Sequence, residues 1–175
     1  MKKALKRGMT LMELVAALVV AGIAIPALLS IWSTISWQSI RSEGTADASI
    51  YAQGLMEEVV SKQFDQQDES PWSTALGRDG ENAVNASTFN DVDDFINTTD
   101  PRIVSPASGY SRWASVEYVN LSATNTWVAC QPSPVCGDVT NCTNCNECCY
   151  KRITVNVKKN NLPVNVSLMT VIAGY

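Results

Sequence analysis

The sequence contains no histidine, and this absence excludes more chemistry than any other feature of its composition. Histidine is the commonest general base and the commonest zinc ligand, and many serine and cysteine nucleophiles depend on its imidazole. The remaining polar residues form no recognisable catalytic set. We therefore expect a protein that is not an enzyme and that needs no cofactor.

Basic residues are scarce outside the first seven positions, where Lys2, Lys3, Lys6 and Arg7 stand together. The formal net charge is -4, so no basic face is left elsewhere for a nucleic acid. The 175 residues are 46% hydrophobic, which is enough for one core domain in addition to an apolar N-terminal segment. The composition predicts one domain with an anchor and excludes nucleic acid as a partner.

An apolar run from Leu14 to Trp32 contains nineteen residues without a charge. This length is sufficient for a helix to cross a bilayer. The basic residues that precede the run should stay in the cytoplasm, because basic flanks resist translocation. The sequence therefore predicts a single membrane-spanning helix with the rest of the chain outside the cytoplasm.

Three other interpretations of this segment fit less well. A cleaved secretory signal has an apolar core of only 7 to 15 residues followed by a small-residue cleavage site. A plain anchor would have an aliphatic residue in place of Glu13, because an acid at membrane depth is costly. A buried core helix would not need four basic residues at its start.

A specific pattern surrounds the end of the basic leader. Gly8 ends this leader, a hydrophobic residue, Met9, follows it, and Glu13 lies five residues after the glycine. Together with Thr10 and Leu11, these residues resemble the cleavage and methylation site of type IV prepilins. In that family a membrane peptidase cuts after the glycine and methylates the new N-terminus, so the resemblance implies prepilin peptidase as a partner and Gly8 and Met9 as the processing site.

The resemblance covers roughly the first thirty residues, including Gly22 in the apolar run, and has two departures. Met9 replaces the usual phenylalanine, as it does in some minor members of the family. Pro26 lies four residues earlier than the helix proline typical of major pilins. Both departures favour a minor subunit over the main filament subunit.

The resemblance gives Glu13 a role in assembly. Cleavage after Gly8 would create a cationic amine on Met9, and methylation keeps that charge. In the pilin family the glutamate pairs with this amine on a neighbouring subunit. An unpaired Glu13 would cost on the order of 2.5 to 3.5 kcal/mol in the membrane, so it would favour assembly.

The expected function is that of a minor structural subunit of a type IV pilus or pilus-like filament, which assembles with other pilin or pseudopilin subunits through its N-terminal helix. Before assembly it would be a single-pass protein of the bacterial inner membrane. An alternative within the same superfamily is a pseudopilin of a type II secretion system. A rival from another class is a membrane-anchored extracytoplasmic enzyme or sensor.

The expected fold class is α+β, with a long N-terminal helix packed on a C-terminal antiparallel sheet as in pilins. We assign residues 1–8 to the leader, 9–64 to the helix and 65–175 to the globular domain, and we expect the helix itself to run from about Thr10 to about Phe64. Beyond the membrane, an intermittent apolar stripe should contact the sheet. The stripe consists of Ile40, Ile50, Leu55, Met56, Val59 and Val60.

Three segments near the C-terminus alternate apolar and polar residues, as half-buried strands do. Asn160 and Asn161 separate the last two segments and tolerate the left-handed conformation that a tight turn needs. A meander of at least three antiparallel strands is predicted. Its inward residues are Ala114, Val116 and Tyr118, then Ile153, Val155 and Val157, then Val164, Val166 and Leu168.

The polar connection between helix and sheet contains the acidic segment FNDVDDF, with Asp91, Asp93 and Asp94. Carboxylates this close can share a calcium ion, although their spacing does not match a helix-loop-helix calcium loop. The favoured interpretation is a solvated acidic turn that Phe89 and Phe95 anchor to the core. Calcium is kept only as a weak alternative.

Six cysteines lie within residues 130–149, between the first and second of the three predicted strands. An even cluster in an exported chain is typical of a disulfide framework. Zinc is the alternative, but Cys130 and Cys136 are spaced more widely than the short arms of structural zinc sites. Disulfides are favoured, and all fifteen pairings remain open. The cysteines are Cys130, Cys136, Cys142, Cys145, Cys148 and Cys149.

Overall fold

A computed structural model describes residues 10–66, 73, 75–130 and 150–174. The predicted processing site, Gly8 and Met9, lies outside the described residues. So do five of the six cysteines, Cys136, Cys142, Cys145, Cys148 and Cys149. The chain divides into two compact units, the first ending at Ser42 and the second beginning at Glu43.

One uninterrupted helix, α1, spans Leu11–Val60 and contains Pro26. Its first turn is capped by Thr10, whose Oγ1 accepts the Glu13 backbone N–H at 3.3 Å. The helix ends four residues before the predicted Phe64. In the first unit its apolar side chains are exposed, and the helix is long and apolar enough to cross a membrane.

The second unit contains a four-stranded antiparallel sheet in the order β2-β1-β3-β4. The strands are β1 (Tyr110–Leu121), β2 (Trp127–Ala129), β3 (Tyr150–Lys159) and β4 (Val164–Ala173). The α+β class, with a long N-terminal helix and a C-terminal antiparallel sheet, is therefore confirmed. The short strand β2 was not predicted, because its three residues are exposed and show no alternation.

In the connection from α1 to β1, the described residues from 75 onward are held by local hydrogen bonds. This connection contains 3-10 turns at Ala86–Thr88 and Asp93–Phe95 and a short helix, α2, at Pro101–Val104. Asp100 caps α2, since its carboxylate accepts the Arg102 backbone N–H at 2.9 Å. These turns place the acidic segment against the inner face of the sheet.

The turn between β3 and β4 forms as predicted. Asn161 has a φ of 64°, in the left-handed region that asparagine tolerates better than most residues. The pairing runs without a break from Lys159 opposite Val164 to Tyr150 opposite Ala173. Ile153, Val155 and Val157 face the core from the middle strand and are fully buried.

The helix face that contacts the sheet differs from the predicted stripe. Ile40, Ile50 and Val60 are 47%, 63% and 43% exposed, so the prediction was wrong for these three residues. The buried positions instead follow a spacing of three or four residues and are mostly small. A Cβ on the first of them would lie 3.1 Å from the Lys159 side chain, which shows how closely the helix approaches β3. The buried positions are Gly44, Ala48, Ala52, Leu55 and Val59.

We expect Ala52→Leu to destabilise the second unit by roughly 1–3 kcal/mol, because Ala52 is fully buried in a close-packed contact and a larger side chain would displace the sheet. The matched control is Ala46→Leu, since Ala46 is exposed on the same helix. Urea unfolding of the two variants measures the difference. Equal unfolding midpoints would contradict the observed docking face.

Candidate functional site

Glu13 is the single charged residue between Thr10 and Ile40. It is exposed in the first turn of α1, where a carboxylate interacts favourably with the positive end of the helix dipole. This placement lowers the cost of one isolated acid but provides no cation. Within the described residues, no salt bridge is formed by Glu13.

The helix that follows Glu13 is apolar on every side. Leu18, Val19 and Val20, which point in different directions around the helix axis, are 65%, 58% and 66% exposed. A soluble surface helix would instead keep one polar face. This surface suits lipid, and it suits contact with other helices of the same kind.

A second site lies in the interior of the other unit, around Lys151. Its side chain is fully buried, and Nζ donates to Asp93 Oδ1 at 2.5 Å and to Asp65 Oδ2 at 3.2 Å. The third acceptor is the Phe64 carbonyl oxygen at 2.6 Å. A lysine enclosed in this way has all three of its protons satisfied, which is what burial of an ammonium group requires.

Aromatic rings complete the enclosure of Lys151. Nζ lies 4.8 Å from the centre of the Phe64 ring and 5.1 Å from that of Tyr118. The Tyr118 hydroxyl lies 3.0 Å from Asp65 Oδ2. Burial, together with the negative charge of Asp65, raises the pKa of Tyr118, so the phenol stays protonated.

Lys151 was not predicted as a core residue, although its position in the alternating pattern of β3 indicates burial. Lys151 lies two residues before Ile153 and is in phase with the buried residues of β3, so the strand pattern places it on the inner face. A lysine at such a position must have buried acidic partners. Those partners, Asp65 and Asp93, are 86 and 58 residues away, and no local pattern identifies them.

The three aspartates of the acidic segment have separate roles. Asp93 contacts Lys151, and its other oxygen accepts the Gly77 N–H at 2.9 Å. Asp91 Oδ1 accepts the backbone N–H groups of Asp93 and Asp94. Asp94 Oδ2 in turn accepts the backbone N–H groups of Asn90 and Asp91. The carboxylates of Asp91 and Asp94 therefore stabilise the turn by capping each other's backbone.

The interpretation of this segment as a solvated turn is wrong. Asp91, Asp93 and Asp94 are only 1% to 2% exposed, because the turn packs inward beneath the sheet. Its expected anchors, Phe89 and Phe95, are buried and contact each other edge-to-face at 5.1 Å. In the described parts of the chain, no group of three or more acidic, cysteine or histidine residues is arranged to hold a metal ion.

Burial changes the acidity of these carboxyl groups. It raises the pKa of Asp91 to about 7, with further contributions from the negative charges of Asp93 and Asp94. The pKa of Asp94 is raised as well, also chiefly by burial. Asp100 shows the opposite behaviour, since its hydrogen bonds with Arg102 and the backbone lower its pKa to about 2.

A half-buried arginine, Arg112, joins the connection to the helix and the sheet. Arg112 in β1 donates from its guanidinium to the carbonyl oxygens of Tyr51, Arg102 and Ile103 at 2.6 to 2.8 Å. These carbonyls belong to α1 and α2. Arg112 was not predicted as a contact residue, because its acceptors are backbone atoms that leave no pattern in the sequence.

Cys130 is the cysteine that the described residues include. It follows β2 directly, and its backbone N–H donates to the Tyr118 carbonyl oxygen at 3.0 Å. The framework of all six cysteines and its pairing remain predictions.

The chain gives no significant match to any protein-family model, curated protein or solved structure. A proposed function must therefore rest on the two sites themselves, the apolar helix with Glu13 and the surroundings of Lys151.

We expect Lys151→Met to destabilise the second unit by about 3–5 kcal/mol, because it removes the cation that neutralises the buried carboxylates of Asp65 and Asp93. Lys158→Met is the matched control, since Lys158 is exposed on the same strand. Chemical unfolding monitored by tryptophan fluorescence measures both. A Lys151 variant as stable as the control would show that the buried cation is dispensable.

The raised pKa of Asp91 predicts a pH dependence. Between about pH 4 and pH 7 the folded protein keeps a proton on Asp91 that the unfolded chain releases, so stability should fall as pH rises through this window. One such proton contributes at most about 1.4 kcal/mol per pH unit. Asp91→Asn keeps the Oδ1 acceptor and should make the fall of folding stability with rising pH less steep.

Unfolding midpoints measured from pH 4 to pH 7 test this expectation. Glu57→Gln serves as control, because Glu57 is exposed on α1. Parallel profiles for the Asp91 variant and the unchanged protein would be the contrary result.

Proposed function

We propose that this chain is a prepilin-like minor subunit of a type IV pilus or a related filament, cleaved by prepilin peptidase and assembled through its N-terminal helix. The observation that carries the proposal is a 50-residue helix that is exposed and apolar on all sides at its start and packed on a sheet at its end. A membrane protein with a simple anchor needs only the exposed apolar segment and does not need the same helix to continue into a globular core.

The apolar half of α1 is compatible with two environments that the protein would occupy in turn, the membrane and a bundle of helices. Its exposed residues, such as Leu18 and Ile23, suit the hydrocarbon of the bacterial inner membrane before assembly. The same surface suits a bundle of like helices afterwards, because such a bundle is equally apolar. We propose that the C-terminal domain lies outside the cytoplasm at both stages.

Glu13 supports assembly in preference to permanent anchoring. It is the one charge in the apolar half of the helix and lies in the first turn, close in sequence to the proposed new N-terminus at Met9. The amine of Met9 in a neighbouring subunit would supply Glu13 with a cation, and no described residue of the same chain forms a salt bridge with it. Pairing within a single subunit would remove this drive toward assembly.

The cysteine-rich segment 130–149 joins β2, at one edge of the sheet, to β3. The helix and sheet already share a core that contains no described cysteine. We propose that disulfides hold this segment in one shape for contact with a neighbouring subunit or an external surface, because a preformed loop loses less entropy on binding.

Processing is the first test. In cells that contain prepilin peptidase, we expect the mature protein to begin with a methylated Met9, and replacement of Gly8 by leucine should block cleavage. Gly54→Leu is the matched glycine control, because Gly54 lies on α1 with open space around it. Intact-mass spectrometry distinguishes the forms. An uncleaved N-terminus in the unchanged protein would favour an anchored enzyme or sensor instead.

Assembly is the second test. Glu13→Ala should insert into the membrane at least as well as the unchanged protein, because a costly charge is gone. Its incorporation into filaments should fall at least about tenfold, which corresponds to about 1.4 kcal/mol. Glu57→Ala, at an exposed acid on the same helix, should assemble normally. Immunoblots of sheared filaments and membranes measure the ratio, and equal incorporation of both variants would refute the pairing.

A further inference from the structure

Lys151 and Asp93 form an unusually isolated pair of reactive groups. The amine and the carboxyl are in direct contact, with 2.5 Å between Nζ and Oδ1, and their side chains are 0% and 1% exposed. The rings of Phe64 and Tyr118 lie against the amine. The pair is therefore held in fixed contact and shielded from solvent.

A third group touches the same nitrogen. Asp65 Oδ2 lies 3.2 Å from Lys151 Nζ, and Asp65 is itself held by the Ser73 backbone N–H at 3.1 Å and hydroxyl at 2.8 Å. A simple ion pair needs one carboxylate, whereas here a second one is positioned to exchange a proton with the amine.

The far side of the Asp93 carboxyl is also positioned. Oδ2 accepts the Gly77 backbone N–H at 2.9 Å, while Oδ1 faces Lys151. An N–H donor at this place would stabilise negative charge that develops on Oδ2 when a nucleophile adds to Cγ. The arrangement thus contains a nucleophile, an electrophile, a proton acceptor and an oxyanion donor.

We propose that Lys151 and Asp93 condense to form an intramolecular amide bond between Nζ and Cγ. One proton passes from the Lys151 ammonium to Oδ1 of Asp93, the neutral amine adds to Cγ of the resulting carboxylic acid, and Asp65 takes the second proton from the nitrogen. The C–Oδ1 bond then breaks, and Oδ1 leaves as water with the two protons that the nitrogen has lost. Ammonium and carboxylate become amide and water, so no other reactant is needed.

This bond would fasten the middle strand β3 to the Asp93–Phe95 turn, which lies 58 residues earlier in the chain. A covalent link across such a segment restricts the unfolded chain, as a disulfide does, but resists reduction. The inference does not depend on the proposed function, since it concerns only the interior of the second unit.

Peptide mapping of the full-length protein, purified in detergent, tests the proposal. After reduction, alkylation and trypsin digestion, a free Lys151 allows cleavage after it, whereas an acylated one does not. We expect a branched peptide that joins residues 79–102 to residues 113–152 and is lighter by one water than the two together. Recovery of the unlinked peptides as the main species, with cleavage after Lys151, would overturn the proposal.

Three variants make the test specific. Asp93→Asn should give a branched peptide of identical mass, because ammonia then leaves in place of water, whereas Asp93→Ala should give none. Asp65→Asn keeps both reacting residues but removes the proton acceptor, and it should reduce the linked fraction at least about tenfold. Undiminished linkage in the Asp65 variant would overturn the role of that residue, and linkage in Asp93→Ala would exclude Asp93 as the partner.

Discussion

The folding of the second unit depends on the neutralisation of one positive charge as it becomes buried. Lys151 occupies a core position of β3, and it can do so only because Asp65 and Asp93 reach it from the connection between helix and sheet. The same contacts fix the turn at Asp93–Phe95 and, through it, the capping pair of Asp91 and Asp94. A connection that would otherwise be a loose polar loop thus becomes part of the inner layer.

The two halves of the long helix have different surroundings. Toward its end it contacts the sheet through Gly44, Ala48 and Ala52, which let the backbones approach closely, and through Leu55 and Val59. Toward its start its side chains are exposed and apolar all round. A helix of this kind is complete only when lipid or other helices surround its first half, and this is the physical reason to consider assembly.

The sequence predicts the helix and three of the four strands because those features repeat locally. The alternation around Ile153, Val155 and Val157 identifies β3, and Asn161 identifies the turn that follows. The helix face was misread where alanine and glycine replace large apolar residues, since hydrophobicity alone does not detect close packing. The enclosure of Lys151 escaped prediction for another reason, because its partners come from distant positions and one of them is a backbone carbonyl.

The order of the strands has a consequence for how the chain folds. The pairs β1–β2 and β3–β4 each join neighbours along the sequence, so each can close as a hairpin within microseconds. The pairing of β1 with β3 and the contacts of Lys151 with Asp65 and Asp93 span much longer segments and carry a larger entropy of closure. We expect two hairpins to form early and the Lys151 contacts to form late, so that the interior charge is covered only when the rest of the sheet is already in place.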